Sequence, residues 1–410
     1  MAATRVRSGA ALAAGLAVLG LVVVCVGVAW PSGSPLVPGE GGRLVGESRW
    51  AVIYLVCEAC AFGAYLIGAA LLDRRGGALL PVAVVAAAVQ IAPLGAPMLL
   101  SSDAWTYWDY GRISAVHGAN PYVESPSEFP GDPAFRRVGR DWRDTPSVYG
   151  PAFTLASEPL ALASGTSADA AAWTYKALAA AGVLVATGLA VFLSGRRAFA
   201  CAFVGWNPLL ALQFAGGGHN DAWMAALVMA ALASAAVGRR QLAGAAWAAA
   251  ILVKWIAVIF LPLRLLEARA RGRAVSHLGF AAAAAVVLAV ASWRFGWHWL
   301  EAFGPLARNA NHETRYALPH RLESLGVPDA VALTLFAVGF AVAYGWLLLE
   351  ARRGRARLGL AAGAVLLATP YLAPWYLIWM VPLAAAEDDR AAQALALLLT
   401  AYLLRQTVPV

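Results

Sequence analysis

Apolar runs close to the ~20 residues needed to span a bilayer recur along this chain from end to end. No motif constrains the fold as strongly as that recurrence. The sequence is 61% hydrophobic and 13% charged over 410 residues, against about 25% charged for a typical soluble domain. It reads as an all-α polytopic membrane protein forming a single domain over residues 1–410. The run 10–30 follows Arg5 and Arg7, but it is too long for the apolar core of a signal peptide and reads as a retained first span.

The net charge of +8 does not point to nucleic acid, because the arginines fall in short clusters between apolar runs. Such clusters act as topology signals. They lie at Arg5 and Arg7, Arg74 and Arg75, Arg196 and Arg197, Arg239 and Arg240, 264–273 and 352–357. Placing them all on the cytoplasmic side puts 31–50, 101–167 and 297–326 outside. Simple spans are then expected at 10–30, 51–72, 79–100, 168–194, 198–215, 221–238, 275–296, 327–350 and 391–407.

Two segments do not fit one crossing. Between Arg240 and Arg264 the chain must leave and return within 23 intervening residues, and the same holds between Arg357 and "EDDR" at 387–390. Each is expected to be a pair of short helices, with tips near Lys254 and near 370–375. Broken backbone at membrane depth is tolerated where it is buried in protein or lines a polar cavity, so an outward-facing cavity floored by these tips is expected.

The polar motifs then fall on that outer face. In "SSDAWTYWDYGRISAVHGANPY", helical spacing puts Asp103, Tyr107 and Tyr110 on one face and Trp105, Asp109 and Arg112 on another. Asp109 and Arg112 read as a local ion pair. Asp103 has two readings, a helix cap with Ser101 or Ser102 and a functional carboxylate at a membrane-buried site. In "FAGGGHNDAWMAAL", three glycines precede His219, Asn220 and Asp221, and a helix restarts at once. The glycines would let a substrate approach the backbone, and the helix N-terminus favours anions.

Lys254 is a cation inside an apolar stretch and needs an anionic partner or an aqueous cavity. Arg308, His312, Arg315, His320 and Arg321 form a donor-rich loop suited to phosphate. The gaps between His298, His312 and His320 match no strong ligand pattern, so no metal or other cofactor is assigned. Cys57 and Cys60 lack a second pair or nearby histidines and read as small buried side chains. Tyr149 and Trp142, in "DWRDTPSVYGPAFTLASEPL", suit stacking on a sugar or anchoring at the membrane interface.

Taken together, "YGR…GANPY", "WRDTPSVYGP", "GGGHNDAWM", "VKW…LPL" and "TPYLAPWYLIW", after an acidic residue outside an early span, carry a resemblance. They resemble the polyprenol-phosphomannose-dependent α-mannosyltransferases of actinobacteria, within the GT-C superfamily of membrane glycosyltransferases, over roughly residues 95–385. The resemblance implies a GT-C-like bundle of roughly 11–13 transmembrane helices, two of its elements being short-helix hairpins. It also implies a polyprenyl-phosphate sugar donor and a glycan or glycolipid acceptor, with chemistry on the extracytoplasmic face of the plasma membrane and inversion at the sugar.

The carboxylate implied as general base is Asp103. His219, Asn220, Asp221, Lys254, Arg315, His320 and Arg321 are expected to hold the donor's phosphate or sugar, and Tyr107, Tyr149 and Trp375 to stack on acceptor or sugar. The competing classes are a lipid-linked sugar flippase or small-solute transporter and a glycan-binding subunit. A transporter shares the spans and broken helices, but the sequence shows no internal repeat and its polar residues crowd one face.

Overall fold

The computed structural model describes residues 2–75, 77–275, 277–309 and 314–409, and their side chains other than those of 2–8, 74, 75 and 309. His312 lies outside the described residues. Among the described residues every regular element is helical. α1 (Ala2–Gly27) and α2 (Ser48–Arg75) pack along each other. α3 (Leu79–Ile91) follows and ends in a tight turn at Pro93, which cannot continue the helix's hydrogen-bond ladder.

The segment between the third and sixth helices lies at one end of the bundle. It holds α4 (Asp103–Ala115), a loop with three short 3₁₀ turns, and α5 (Pro151–Ser164), which packs against α4. α6 (Ala168–Leu193) is a full-length apolar helix whose Ser167 caps its first turn. α7 (Arg197–Gly205) and α8 (Pro208–Ala211) form one path bent by 52°. Asn207 sits at the bend, and its side chain caps the next turn by accepting from the Leu210 N–H.

α9 (Asp221–Ala236) restarts after a glycine turn. α10 (Arg240–Val253) and α11 (Phe260–Ala270) are two short helices broken at Lys254, whose backbone is extended. α12 (His277–Phe295), α13 (Phe303–Asn309), α14 (Leu318–Glu323) and α15 (Asp329–Arg352) follow. α16 (Leu358–Ala368) and α17 (Val381–Ala386) flank a second break containing Pro370 and Pro374, and α18 (Arg390–Leu403) closes the described chain. Both expected short-helix pairs are thus present, with breaks at the expected tips.

Among the described residues five helices are long and apolar enough to cross a membrane, or six with the bent pair counted as one. The remaining apolar helices are 10–17 residues long, consistent with a polytopic membrane protein in which broken elements fill the bundle interior.

The end of the bundle away from α4 collects the arginine clusters. Arg196 pairs with Asp73 and Asp388, and Arg390 also reaches Asp73 at 2.6 Å. Arg357 binds both oxygens of Asp389 at 2.7 and 2.9 Å, while Arg271 donates to the Gly354 carbonyl at 2.8 Å. The Glu387 carboxylate accepts the Leu358 and Gly359 N–H groups, satisfying two donors that the first turn of α16 leaves free. The clusters at Arg196, 264–273 and 352–357, read from sequence as lying on one side, are therefore gathered at one end.

Candidate functional site

At the other end, five separate segments converge on a cavity of about 470 Å³. Asp103 opens α4, and its side chain is 19% exposed at the cavity wall. Ser102, not Asp103, is the residue at the N-cap position, and the Asp103 N–H donates to Ser101 Oγ at 3.1 Å. Ser102 makes no side-chain cap bond, so the Ser101 hydroxyl alone takes the capping role, and the carboxylate is left for other partners. His219 Nδ1 lies 3.1 Å from Asp103 Oδ2, and the Tyr107 hydroxyl donates to the same oxygen at 3.4 Å.

Burial by itself would push this carboxyl up. The His219 contact, the positive charge of Lys254 and the Ser101 hydroxyl outweigh it and hold Asp103 below the usual carboxylate range.

His219 is fully buried, stacked 3.8 Å from Trp375 with their planes 13° apart. Its Nε2 has no hydrogen-bond partner among the described residues. The turn that delivers it runs through Gly216, Gly217 and Gly218. Gly218 has φ +74°, and a Cβ there would meet the Ala104 Cβ at 3.1 Å. A Cβ on Gly216 would strike Leu99 at 2.7 Å, and the Leu99 N–H donates to the Gly216 carbonyl. The glycines therefore serve close packing of protein on protein, not approach of a substrate to the backbone as expected from sequence. They bring the turn against the start of α4, which is why His219 reaches Asp103.

Asp221 is fully buried at the start of α9. It accepts from Lys254 Nζ at 2.7 Å and from the Trp379 indole N–H at 2.6 Å. Lys254 also donates to Asn220 Oδ1 at 3.3 Å and sits 5.3 Å from the centre of the Tyr376 ring. The cation at the break between α10 and α11 thus has the anionic partner its position demanded, and it still lines the cavity. The rest of the wall is aromatic and aliphatic, with Trp142, Tyr149, Trp255, Tyr371, Trp375 and Tyr376 beside Val148, Ile256, Val258, Ile259, Leu306 and Val365.

Of the expected residues, Asp103, Tyr107, Tyr149, Lys254 and Trp375 line this cavity, while His219, Asn220 and Asp221, expected to hold the donor, are buried behind its wall as partners of Asp103 and Lys254. The Tyr107 ring is enclosed edge-on by Tyr149, Phe153 and Tyr175, and its hydroxyl is what reaches Asp103. Arg315, His320 and Arg321 are not on the cavity wall. Arg321 donates to the Tyr402 hydroxyl and covers the Tyr316 ring, His320 pairs with Glu323, and Arg315 is exposed.

One expected pair is corrected. Arg112 binds Asp132 through Nε at 2.8 and 3.0 Å, not Asp109. His117 Nε2 reaches the same Asp132 carboxylate at 2.7 Å. Asp132 opens an Asx turn by accepting from the Ala134 N–H, and that turn presents it better than the one-turn spacing presents Asp109. Asp109 is left buried, with Oδ2 unpartnered among the described residues. Burial, then the nearby Asp132 charge, push its carboxyl up to about 8 against the opposing pull of Arg112.

Residues that sequence reading missed include Trp379, four positions after Trp375, and Lys176. Lys176 Nζ gathers the carbonyls of Leu94, Ala96 and Pro97 at 3.4, 2.6 and 3.4 Å. It pins the chain entering α4. A lysine inside the long apolar run of α6 was the available signal.

Fold and site together define a polytopic helical membrane protein with a carboxylate-centred, aromatic-walled cavity at one end of its bundle. A model described as the alpha-(1->6)-mannopyranosyltransferase N-terminal domain matches residues 8–269, and one described as the MptB C-terminal domain matches 324–409. The chain belongs to the alpha-(1->6)-mannopyranosyltransferase family.

Among curated relatives, a probable alpha-(1->6)-mannopyranosyltransferase of Mycolicibacterium smegmatis is 28% identical over 71% of this chain and 62% of its own length. Alpha-(1->6)-mannopyranosyltransferase A of Corynebacterium glutamicum is 31% identical over 42% of this chain and 36% of its own. The protein of that name from Mycobacterium tuberculosis is 26% identical over 73% and 65%. The chain therefore spans less than two thirds of the length of each of these relatives. No solved structure matches at a significant level.

Proposed function

We propose that the chain is a membrane mannosyltransferase that moves mannose from a polyprenyl-phosphate donor to a hydroxyl of a glycan or glycolipid acceptor. The reaction is placed on the extracytoplasmic face of the plasma membrane and proceeds with inversion. The observation that carries this reading is that Asp103 and Lys254 meet on the wall of one cavity at a single end of the bundle, each held from behind by a buried partner, His219 for Asp103 and Asp221 with Asn220 for Lys254.

Because His219 and Tyr107 both bind Oδ2, Oδ1 of Asp103 is the atom offered to the acceptor hydroxyl, whose proton it removes as the sugar is transferred. A phosphate leaving group needs little acid assistance. Lys254 balances the charge that grows on the departing phosphate, held in place by Asp221 and Asn220. Trp375, backed by His219 on one face, and Tyr149 offer aromatic surface to the sugar. Family membership supports the mannose assignment, and the motif resemblance supports the polyprenyl-phosphate donor.

The test is mass spectrometry of product formed by the purified protein from candidate polyprenyl-phosphate sugars and a mannoside acceptor. A new mannosyl linkage formed from the mannose donor alone is the expected result. Movement of the lipid-linked sugar across a vesicle membrane without any new glycosidic bond would replace this reading with a flippase.

A further inference from the structure

A second, larger cavity of about 720 Å³ lies on the same end of the molecule, and the transfer chemistry does not use it. Its wall carries Arg43, Arg137, Arg140 and Arg143 against one carboxylate, the exposed Glu40. Among the described residues none of the four guanidinium groups makes an ion pair. Arg137 lies 5.1 Å over the Trp105 ring, and Arg143 lies 4.5 Å over Phe135 with Nε 3.4 Å from the Val138 carbonyl. Those two are held in place, while Arg43 and Arg140 are exposed.

The loops that carry them are built to meet. Gly41 and Gly42, in the turn Glu40–Gly42, have φ +68° and +74°, and a Cβ on Gly42 would come within 2.9 Å of Ser102 Oγ and 3.2 Å of Gly139. That close approach sets the first loop directly on the turn Arg140–Trp142.

The position of the pocket decides what kind of anion reaches it. The apolar span of α1 ends at Gly27, and two residues later Ala29 and Trp30 form the pocket's edge. Trp30 is 64% exposed while its indole N–H donates to the Gly95 carbonyl. An anchored, exposed tryptophan just past the end of a span marks the headgroup level of a bilayer. Unpaired arginines at that level form bidentate, charge-assisted hydrogen bonds with phosphate.

We propose that this pocket binds the phosphate headgroup of an anionic membrane lipid. The turn Arg140–Trp142 is a wall shared by two cavities, since Arg140 faces the arginine pocket and Trp142 lines the reaction cavity. Headgroup binding therefore steadies the edge of the site where the sugar is transferred.

The test is native mass spectrometry of the full chain in detergent with phosphatidic acid, phosphatidylcholine or inorganic phosphate. Retention of phosphatidic acid well above phosphatidylcholine is expected, with Arg43→Gln/Arg140→Gln weakening it roughly tenfold or more. The Arg43→Lys/Arg140→Lys protein keeps the charge and is expected to keep most of the binding. Equal retention by the parent and the double glutamine variant would overturn the proposal, as would equal retention of the two lipids. Inorganic phosphate binding as tightly as the lipid would overturn the lipid assignment. The readout is binding alone, so its failure leaves the transferase reading standing, and loss of transfer with binding intact counts against that reading only.

Discussion

At the scale of single residues, Asp103 and Asp109 show how neighbours divide two carboxylates six positions apart in one helix. Asp103 is held below the ordinary range, so it stays ionised through neutral pH, and the base activity proposed for it is lost only as pH falls through that lowered value. His219→Ala removes the largest of the lowering contacts. The acid limb of the kcat/KM–pH profile is then expected to move to higher pH, and an unchanged limb would show that His219 does not tune the base.

Asp109 behaves in the opposite way. Its folded-state value of about 8 lies above the unfolded one, so stability is greatest at low pH and is lost as pH rises from ~4 toward 8. Asp109→Asn copies the neutral form. Its melting temperature relative to the parent is expected to gain between pH 5 and pH 8, and a difference independent of pH would contradict this. Asp103 was legible in the sequence as a carboxylate without a cation on its own helix face. The Arg112–Asp132 pair was not, because its partner comes from a turn 20 residues away and local spacing favoured the wrong aspartate.

At the scale of elements, the site exists because helices break. The chain stops being helical at Lys254 and again at Thr369, and each break turns a polar or aromatic side chain toward the cavity. Both breaks were legible from charge, since a segment bracketed by arginines on one side must return to that side. The packing purpose of the glycine turn was not, because nothing local says that Ala104 and Leu99 will sit against it. Gly218→Ala forces a side chain into left-handed backbone at a cost of about 1–2 kcal/mol, and it pushes the His219 turn away from α4. A lower melting temperature together with reduced transfer is expected. Gly188→Ala serves as the comparison, since a Cβ there meets nothing within 4 Å and little change is expected.

At the scale of the whole molecule, the network joining Arg196, Arg357 and Arg390 to Asp73, Asp388 and Asp389 occupies one end, and the candidate cavity with the arginine pocket occupies the other. A cysteine-free background with Ser32→Cys or Gly272→Cys makes the orientation measurable. Both positions are exposed, and an impermeant maleimide added to intact cells is expected to label the first and spare the second. The reverse pattern would place the cavity on the cytoplasmic side and contradict the donor assignment.

The central claim is that Asp103 is the general base of a sugar transfer. Its most direct test is the initial rate of transfer from labelled polyprenyl-phosphate mannose by Asp103→Asn, in protein whose melting temperature matches the parent. The expected result is a fall of roughly 10²–10⁴-fold. Transfer near the parent rate would contradict the assignment.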